Sequence, residues 1–219
     1  MNSLFSTAYF PPVAFWSAWI HSSKAQIEAQ ENYPKQSYRN RCVIAAANGP
    51  LPLNIPVKKG ISTKIPISEV QIDYTENWQK VHFKALEAAY RSAPFFDFLM
   101  PELAIFFLER NFQFLLDFNA AIIQQVLVSM DWTVCELSPT KTYQKDIQKG
   151  IDFREKIHPK RPEQLEELFQ FKPYYQVFQA KWGFLPNLSI LDLVFNLGPE
   201  AEVYLLGCFQ QKQVDKIRE

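Results

Sequence analysis

A pair of prolines, Pro11-Pro12, divides an uncharged and aromatic opening, and what stands on either side of it restricts the fold more than any other feature. Before the pair, Leu4 to Phe10 (LFSTAYF) has the apolar and aromatic content of a strand. Proline cannot donate to a sheet ladder, so the strand must stop there. After it, Val13 to His21 predicts a short aromatic helix and Ala25 to Gln30 a second strand. Strand, proline turn, short helix and strand are the parts of a βαβ unit, whose two strands run parallel in one sheet. Met1 to Ile20 does not read as a signal segment, because it lacks a basic leading region and the double proline interrupts it.

The next stretch carries the charge pattern. From Asn32 to Ser68 there is no acidic residue, while Lys35, Arg39, Arg41, Lys58, Lys59 and Lys64 are basic. The whole chain has 23 basic and 23 acidic residues. A balanced protein that keeps one long segment free of acids has the makings of a positive pocket. The three downstream lysines read as an edge guard on a hairpin. Arg39, Asn40 and Arg41 read as an anion site, since planar guanidinium forks beside an amide match a carboxylate or phosphate. Strand alternation would put Arg39 and Arg41 on one face and Asn40 on the other. Asn48-Gly49 supplies the turn between an Asn40–Ala47 strand and a Leu51–Val57 strand, and Pro52 and Pro56 place the second at an edge. One more short strand is expected at Glu69–Asp73.

Beyond this point the pattern turns helical. Trp78, Val81, His82, Ala85, Leu86 and Ala89 recur at helical spacing, which predicts a helix over Trp78–Ser92 ending before Pro94. His82 lies on its buried face and has two readings: a core imidazole satisfied by a backbone carbonyl, or a general base facing a cleft. Phe112 to Met130 predicts a longer core helix. Trp132–Leu137 predicts a strand, and the polar stretch Ser138–Pro162 reads as a flap. A helix is expected from Pro162 to Gln170. Ser189-x-x-Asp192 before an apolar run reads as a capping box. Ser189, Asp192 and Asn196 share one helix face, which either caps neighbouring backbone or lines a site.

Composition narrows the function classes. Zero net charge argues against a nucleic-acid binder, which carries a positive surplus. Aromatic residues make up 15% of the 219-residue chain, with Phe contributing 19, so a ring-rich core or an aromatic-lined cleft is expected. Cys42, Cys135 and Cys208 are far apart and odd in number, which suits reduced thiols in a cytoplasmic protein. Cys42 follows Arg41, yet its place at the start of an apolar strand favours an inert buried thiol over a nucleophile. No metal-ligand spacing, Gly-rich phosphate loop or membrane-length apolar run occurs. The fold expected is α/β, a β-rich N-terminal half packed on a mostly helical C-terminal half, as a single domain over residues 1–219.

Taken as a set, STAYFPPVAFW, YPKQSYRNRCVIAAANGPLPLNIPV, W-x-x-x-H with AYRSAPFF, and GFLPNLSILDLVFNLGP resemble the WbqC-like family in order and spacing along nearly the full chain. The opening departs from the family at Ala14 and Phe15, where glycine and tyrosine are common. The resemblance implies a transferase moving an aminoacyl group, glycine in particular, onto an amino sugar in surface-polysaccharide synthesis. Such chemistry would use His82 as base, Arg39, Asn40 and Arg41 as anion anchors, and Lys35, Gln36 and Tyr38 as further donors. Asp192 and Asn196 join these as substrate-binding candidates. The alternative is a non-catalytic binding protein for an anionic sugar or nucleotide using the same residues. Either takes a small-molecule or sugar ligand, with no nucleic acid and no membrane insertion; cofactor and oligomeric state stay open.

Overall fold

The computed structural model describes residues 1–58, 65–147 and 150–210; Lys59 and Lys64 lie outside them. The opening βαβ unit is present. Strand β1 (Asn2–Phe5) pairs in parallel with β2 (Lys24–Ile27), Asn2 opposite Lys24 and Phe5 opposite Ile27, with α1 (Val13–Ile20) between them in sequence. Every α1 residue from Val13 to Trp19 is buried, as expected of a helix that is apolar all round. β1 ends at Phe5, with five residues between it and the prolines, because Ser6 to Phe10 leaves the sheet and Phe10 takes a positive φ of 37°.

The hairpin follows, β3 (Arg41–Ala46) against β4 (Gly49–Asn54), antiparallel with Arg41 opposite Asn54. Gly49, at φ 104°, makes the turn as its place after Asn48 requires. Two proline residues sit in β4, which is tolerated because it is the edge of a two-stranded sheet. The strand expected at Glu69–Asp73 is instead a 3-10 turn, Ile67–Glu69, followed by single bridges from Gln71 to Phe114 and from Ile72 to Val57.

Helices then dominate: α2 (Trp78–Tyr90), α3 (Phe96–Leu103), α4 (Ile105–Leu108) and α5 (Leu115–Met130). Asn77 caps α2 by accepting from the Lys80 N–H. The face of α2 that packs inward carries Trp78, Gln79, His82, Leu86, Ala89 and Tyr90. Val81, expected on that face, is 64% exposed. The inward arc is rotated toward Gln79, whose amide donates to the carbonyls of Phe106 and Glu109.

The stretch Ser138–Pro162 is not only a flap. It supplies most of β5 (Leu137–Pro139) and all of β6 (Gly150–Asp152), which extend the first sheet to the order β5-β2-β1-β6, all parallel. Strands of three residues have too little side-chain alternation to announce themselves; an existing strand recruits them through backbone hydrogen bonds. Gly150 meets a local demand here, since a Cβ would come 2.6 Å from the Asn2 carbonyl oxygen.

The chain closes with α6 (Glu163–Glu166), α7 (Gln179–Trp182), α8 (Ile190–Leu197) and α9 (Ala201–Cys208). Helix α1 packs on β1, α8 and α9, so the first sheet and the last helices share a core. That core is one cluster running from Phe5 to Phe209 and rich in rings, including Tyr9, Trp16, Trp19, Phe118, Phe153 and Phe195. Burying each such side chain fully contributes on the order of 1.5–3 kcal/mol. No helix among the described residues is long and apolar enough to cross a membrane. The architecture is mixed α/β, with strands leading and helices following, and two late strands completing the early sheet.

Candidate functional site

All four strands of the first sheet run the same way, so their carboxyl ends deliver four loops to one edge. In open parallel sheets that edge is where ligands bind. β1 delivers Ser6 and Thr7, β2 delivers Glu28 to Glu31, β5 delivers Thr140 to Gln144, and β6 delivers Asp152 to Glu155.

One half of the edge is closed by its own network. Glu28 is fully buried and accepts from the Thr140 hydroxyl at 2.6 Å, the Gln144 N–H at 2.7 Å and the Gln30 N–H at 2.9 Å. Arg154 forks onto Asp152, with Nη2 2.6 Å from Oδ2, and its Nη1 stands 3.7 Å from Glu28. These groups hold the loops to one another.

The other half is open. Arg39 is only 3% exposed, and its Nε and Nη2 donate to the two oxygens of Glu31 at 2.7 and 2.6 Å. Nη2 also donates to Ser6 Oγ at 2.5 Å. Nη1 has no hydrogen bond among the described residues, and the side chain lines a cavity of about 310 Å³ with Gln30, Glu31, Asn32, Pro34, Tyr143 and Glu155. Asn119 on α5 donates from Nδ2 to the Arg39 carbonyl at 2.8 Å and to Thr7 Oγ1 at 3.2 Å, which fixes the Arg39 backbone against β1. Lys160 donates to the exposed Gln36 side chain, and Lys35 is exposed nearby in sequence. His158 adjoins the same cluster: burial lowers its pKa, Glu155 opposes this, and Arg161, Arg39 and Lys160 reinforce it.

The remaining expected residues lie elsewhere. Arg39 is not on a strand: it sits in a 3-10 turn, Tyr38–Asn40, and β3 begins at Arg41, so alternation does not put the two arginines on one face. Arg41 Nε donates to Asn54 Oδ1 across the hairpin at 2.6 Å, and Asn40 Nδ2 donates to the Ile55 carbonyl at 2.8 Å. The acid-free segment is not free of acid partners either, because Glu31 stands immediately before it and neutralises its most buried cation.

His82 is 4% exposed and hydrogen-bonded to Tyr9. Its Nδ1 and the Tyr9 hydroxyl are hydrogen-bonded at 3.0 Å. Burial lowers its pKa to about 4 against the partial opposition of the Asn54 backbone. Tyr9 also donates its N–H to the Tyr38 carbonyl, so His82 reaches the Arg39 turn through one intervening residue.

Asp192 and Asn196 are in the interior of α8. Ser189 caps the helix, its Oγ accepting from the Leu191 N–H, but Asp192 does not complete the capping box. Its carboxylate instead accepts from Tyr174 at 2.6 Å, Gln176 at 2.9 Å and Tyr90 at 2.9 Å. Burial raises its pKa, opposed by those three donors. Cys42 is buried and its thiol pKa is pushed well up by burial. Among the described residues no group of three or more His, Cys, Asp or Glu side chains is placed to hold a metal ion.

Sequence reasoning missed Ser6, Glu31 and Asn119. Glu31 was signalled by its position next to the acid-free run, and Asn119 by being the one amide inside the apolar arc of α5. With the geometry in place, comparison with known proteins gives a family match over residues 7–161, more than half of the chain. The chain belongs to the WbqC-like protein family. That match takes in the carboxyl edge from Thr7 to Arg161 and leaves the α8 motif outside it. The chain is also similar to the uncharacterized protein Rv1507c of Mycobacterium tuberculosis, 28% identical over 92% of this chain and 93% of that one. No solved structure matches.

Proposed function

We propose that this WbqC-like chain, acting as one domain, is a transferase that moves an aminoacyl group, glycyl in the first instance, onto an amino sugar in surface-polysaccharide synthesis. The observation that carries the reading is buried Arg39, which Glu31 and Ser6 hold through Nε and Nη2, whose Nη1 has no hydrogen bond among the described residues, and which lines the 310 Å³ cavity. A guanidinium fixed by a fork on one side offers its remaining donors to a phosphate or carboxylate on the other. Glu155 lines the same cavity; one of its oxygens pairs with exposed Arg161 at 3.2 Å, and the other suits an ammonium group. An amino sugar bearing phosphate presents both charges.

In the transfer itself the amine nitrogen attacks the acyl carbon, a C–N bond forms and the bond to the donor's leaving group breaks with its electron pair. The amine proton passes to Glu155. Lys35 and Gln36 extend the anion side, Tyr38 and Asn40 shape the turn that carries Arg39, and Arg41 adds long-range positive charge. His82 acts as a positioning residue through Tyr9, and Asp192 with Asn196 by fixing α8 behind the site.

The second reading, a binding protein for an anionic sugar or nucleotide, is favoured by one observation: His82 is buried and already engaged by Tyr9. Mass spectrometry separates the two. The purified protein is incubated with a nucleotide-linked amino sugar and an activated glycyl ester. The transferase reading expects the sugar to gain one glycyl residue, and Glu155→Gln to abolish the gain while binding persists. Binding with no mass change in the native protein would leave only the second reading.

A further inference from the structure

A larger groove of about 920 Å³, sharing no lining residue with the Arg39 cavity, lies beside α5. One wall is the outer face of α5, with Leu116, Ala120, Ile123 and Leu127; the other is built around Trp19 and Trp132. The walls are fixed in advance. Trp19 donates its indole N–H to the Cys135 carbonyl at 3.0 Å, and Trp132 packs edge-on against Trp16 with ring centres 5.6 Å apart. The volume lies within the range of small-ligand sites, roughly 300–1,000 Å³.

The charged groups lining this groove are all of one sign. Asp117, Asp131 and Glu136 are acidic, and among the described residues no Lys, Arg or His lines it. None of the three forms an ion pair among the described residues. Asp117 and Asp131 stand at opposite ends of α5, separated by about 20 Å of helix at its usual rise. The groove is therefore long, mostly apolar along its middle with Gln124 the one amide there, and acidic at both ends of α5.

We propose that this groove binds an elongated amphiphile with an apolar body and an amine head. The walls accept an apolar body of any charge; the acids select the head. A carboxylate or phosphate head would meet like charge with no cation to offset it, whereas an ammonium group finds an unpaired carboxylate at either end. The site is distinct from the Arg39 cavity and stands whether or not the transferase reading does.

Calorimetric titration with octylamine and with octanoate, matched in chain length and opposite in charge, tests this. Octylamine is expected to bind at least about tenfold more tightly at low salt, with the gap narrowing as salt screens the rim. Asp131→Asn combined with Glu136→Gln should narrow it too; asparagine suits Asp131 because that residue holds a left-handed φ of 52°. Ala120→Trp fills the groove and should abolish binding at unchanged Tm. Val128→Trp, at a lining position 63% exposed, gives the same test if the first variant misfolds. Equal affinity for the two probes, no binding of octylamine at millimolar concentration, or undiminished binding in a folded blocking variant would overturn the proposal.

Discussion

Glu31 and Arg39 face each other across the exit of β2 with two parallel hydrogen bonds of 2.7 and 2.6 Å, and both side chains are nearly buried. The pair joins the end of the parallel sheet to the turn that starts the hairpin. Truncating one partner of a buried ion pair strands the other without solvent, at a cost of about 3–5 kcal/mol. Arg39→Met should therefore lower unfolding free energy by that amount in urea titration. Restoring balance with Glu31→Leu on the same background should recover a large part of it. Independent, additive losses would contradict the pairing.

His82 gives a pH prediction with a defined sign. Its pKa is about 4 in the folded protein and near 6.5 in the unfolded chain. Between those values the unfolded state binds the extra proton, so stability is constant above about pH 6.5 and falls as pH drops toward 4. The full loss is about 3 kcal/mol. His82→Gln removes that slope: denaturant titrations should show the native protein losing this margin relative to the variant across the window. Parallel curves would mean that the ring is protonated in the folded state.

The Asp192 carboxylate joins three donors from two segments: Tyr90 at the end of α2, and Tyr174 and Gln176 in the chain before α7. Tyr90 also accepts from the Ala45 N–H of β3, so the network ties the hairpin to the helices. Asp192→Ala orphans these donors and should cost on the order of 3 kcal/mol or more. Tyr174→Phe should cost less on the Asp192→Ala background than alone, which a double-mutant cycle in urea measures.

Gly198 is a steric prediction. It ends α8 at φ 51°, and an added Cβ would come 2.5 Å from the Phe95 ring. Gly198→Ala is expected to destabilise by about 1–3 kcal/mol, with Phe95→Ala partly rescuing it. An unchanged Tm would contradict the packing.

What was legible in the sequence follows physical lines. The βαβ opening could be read because an aromatic run needs burial and the prolines separate strand from helix, although the ladder itself ends earlier, at Phe5, and the hairpin because Asn-Gly selects its turn. The long helices α2 and α5 showed their period, although Gln79 in place of Val81 on the inner face of α2 could not be read, since a buried glutamine depends on two distant carbonyls. β5 and β6 were hidden because three-residue strands carry no pattern of their own. Arg39 was found as a functional candidate from its charge alone. Its partner Glu31 was passed over because the acid-free run was counted from the residue after it. For His82 sequence gave burial but not its partner Tyr9; for Asp192 it gave a cap or a site face rather than burial, and its partners Tyr90, Tyr174 and Gln176 come from segments far apart in the chain.

The central claim is that Arg39 presents an anion site at the carboxyl edge, and calorimetric binding of a nucleotide-linked amino sugar tests it most directly. Arg39→Lys retains a charge to balance Glu31 but loses the fork, so the fold should survive while affinity falls about tenfold or more. Lys35→Ala, at an exposed position, should weaken binding only slightly and mainly at low salt. Undiminished binding by a folded Arg39→Lys protein would contradict the account.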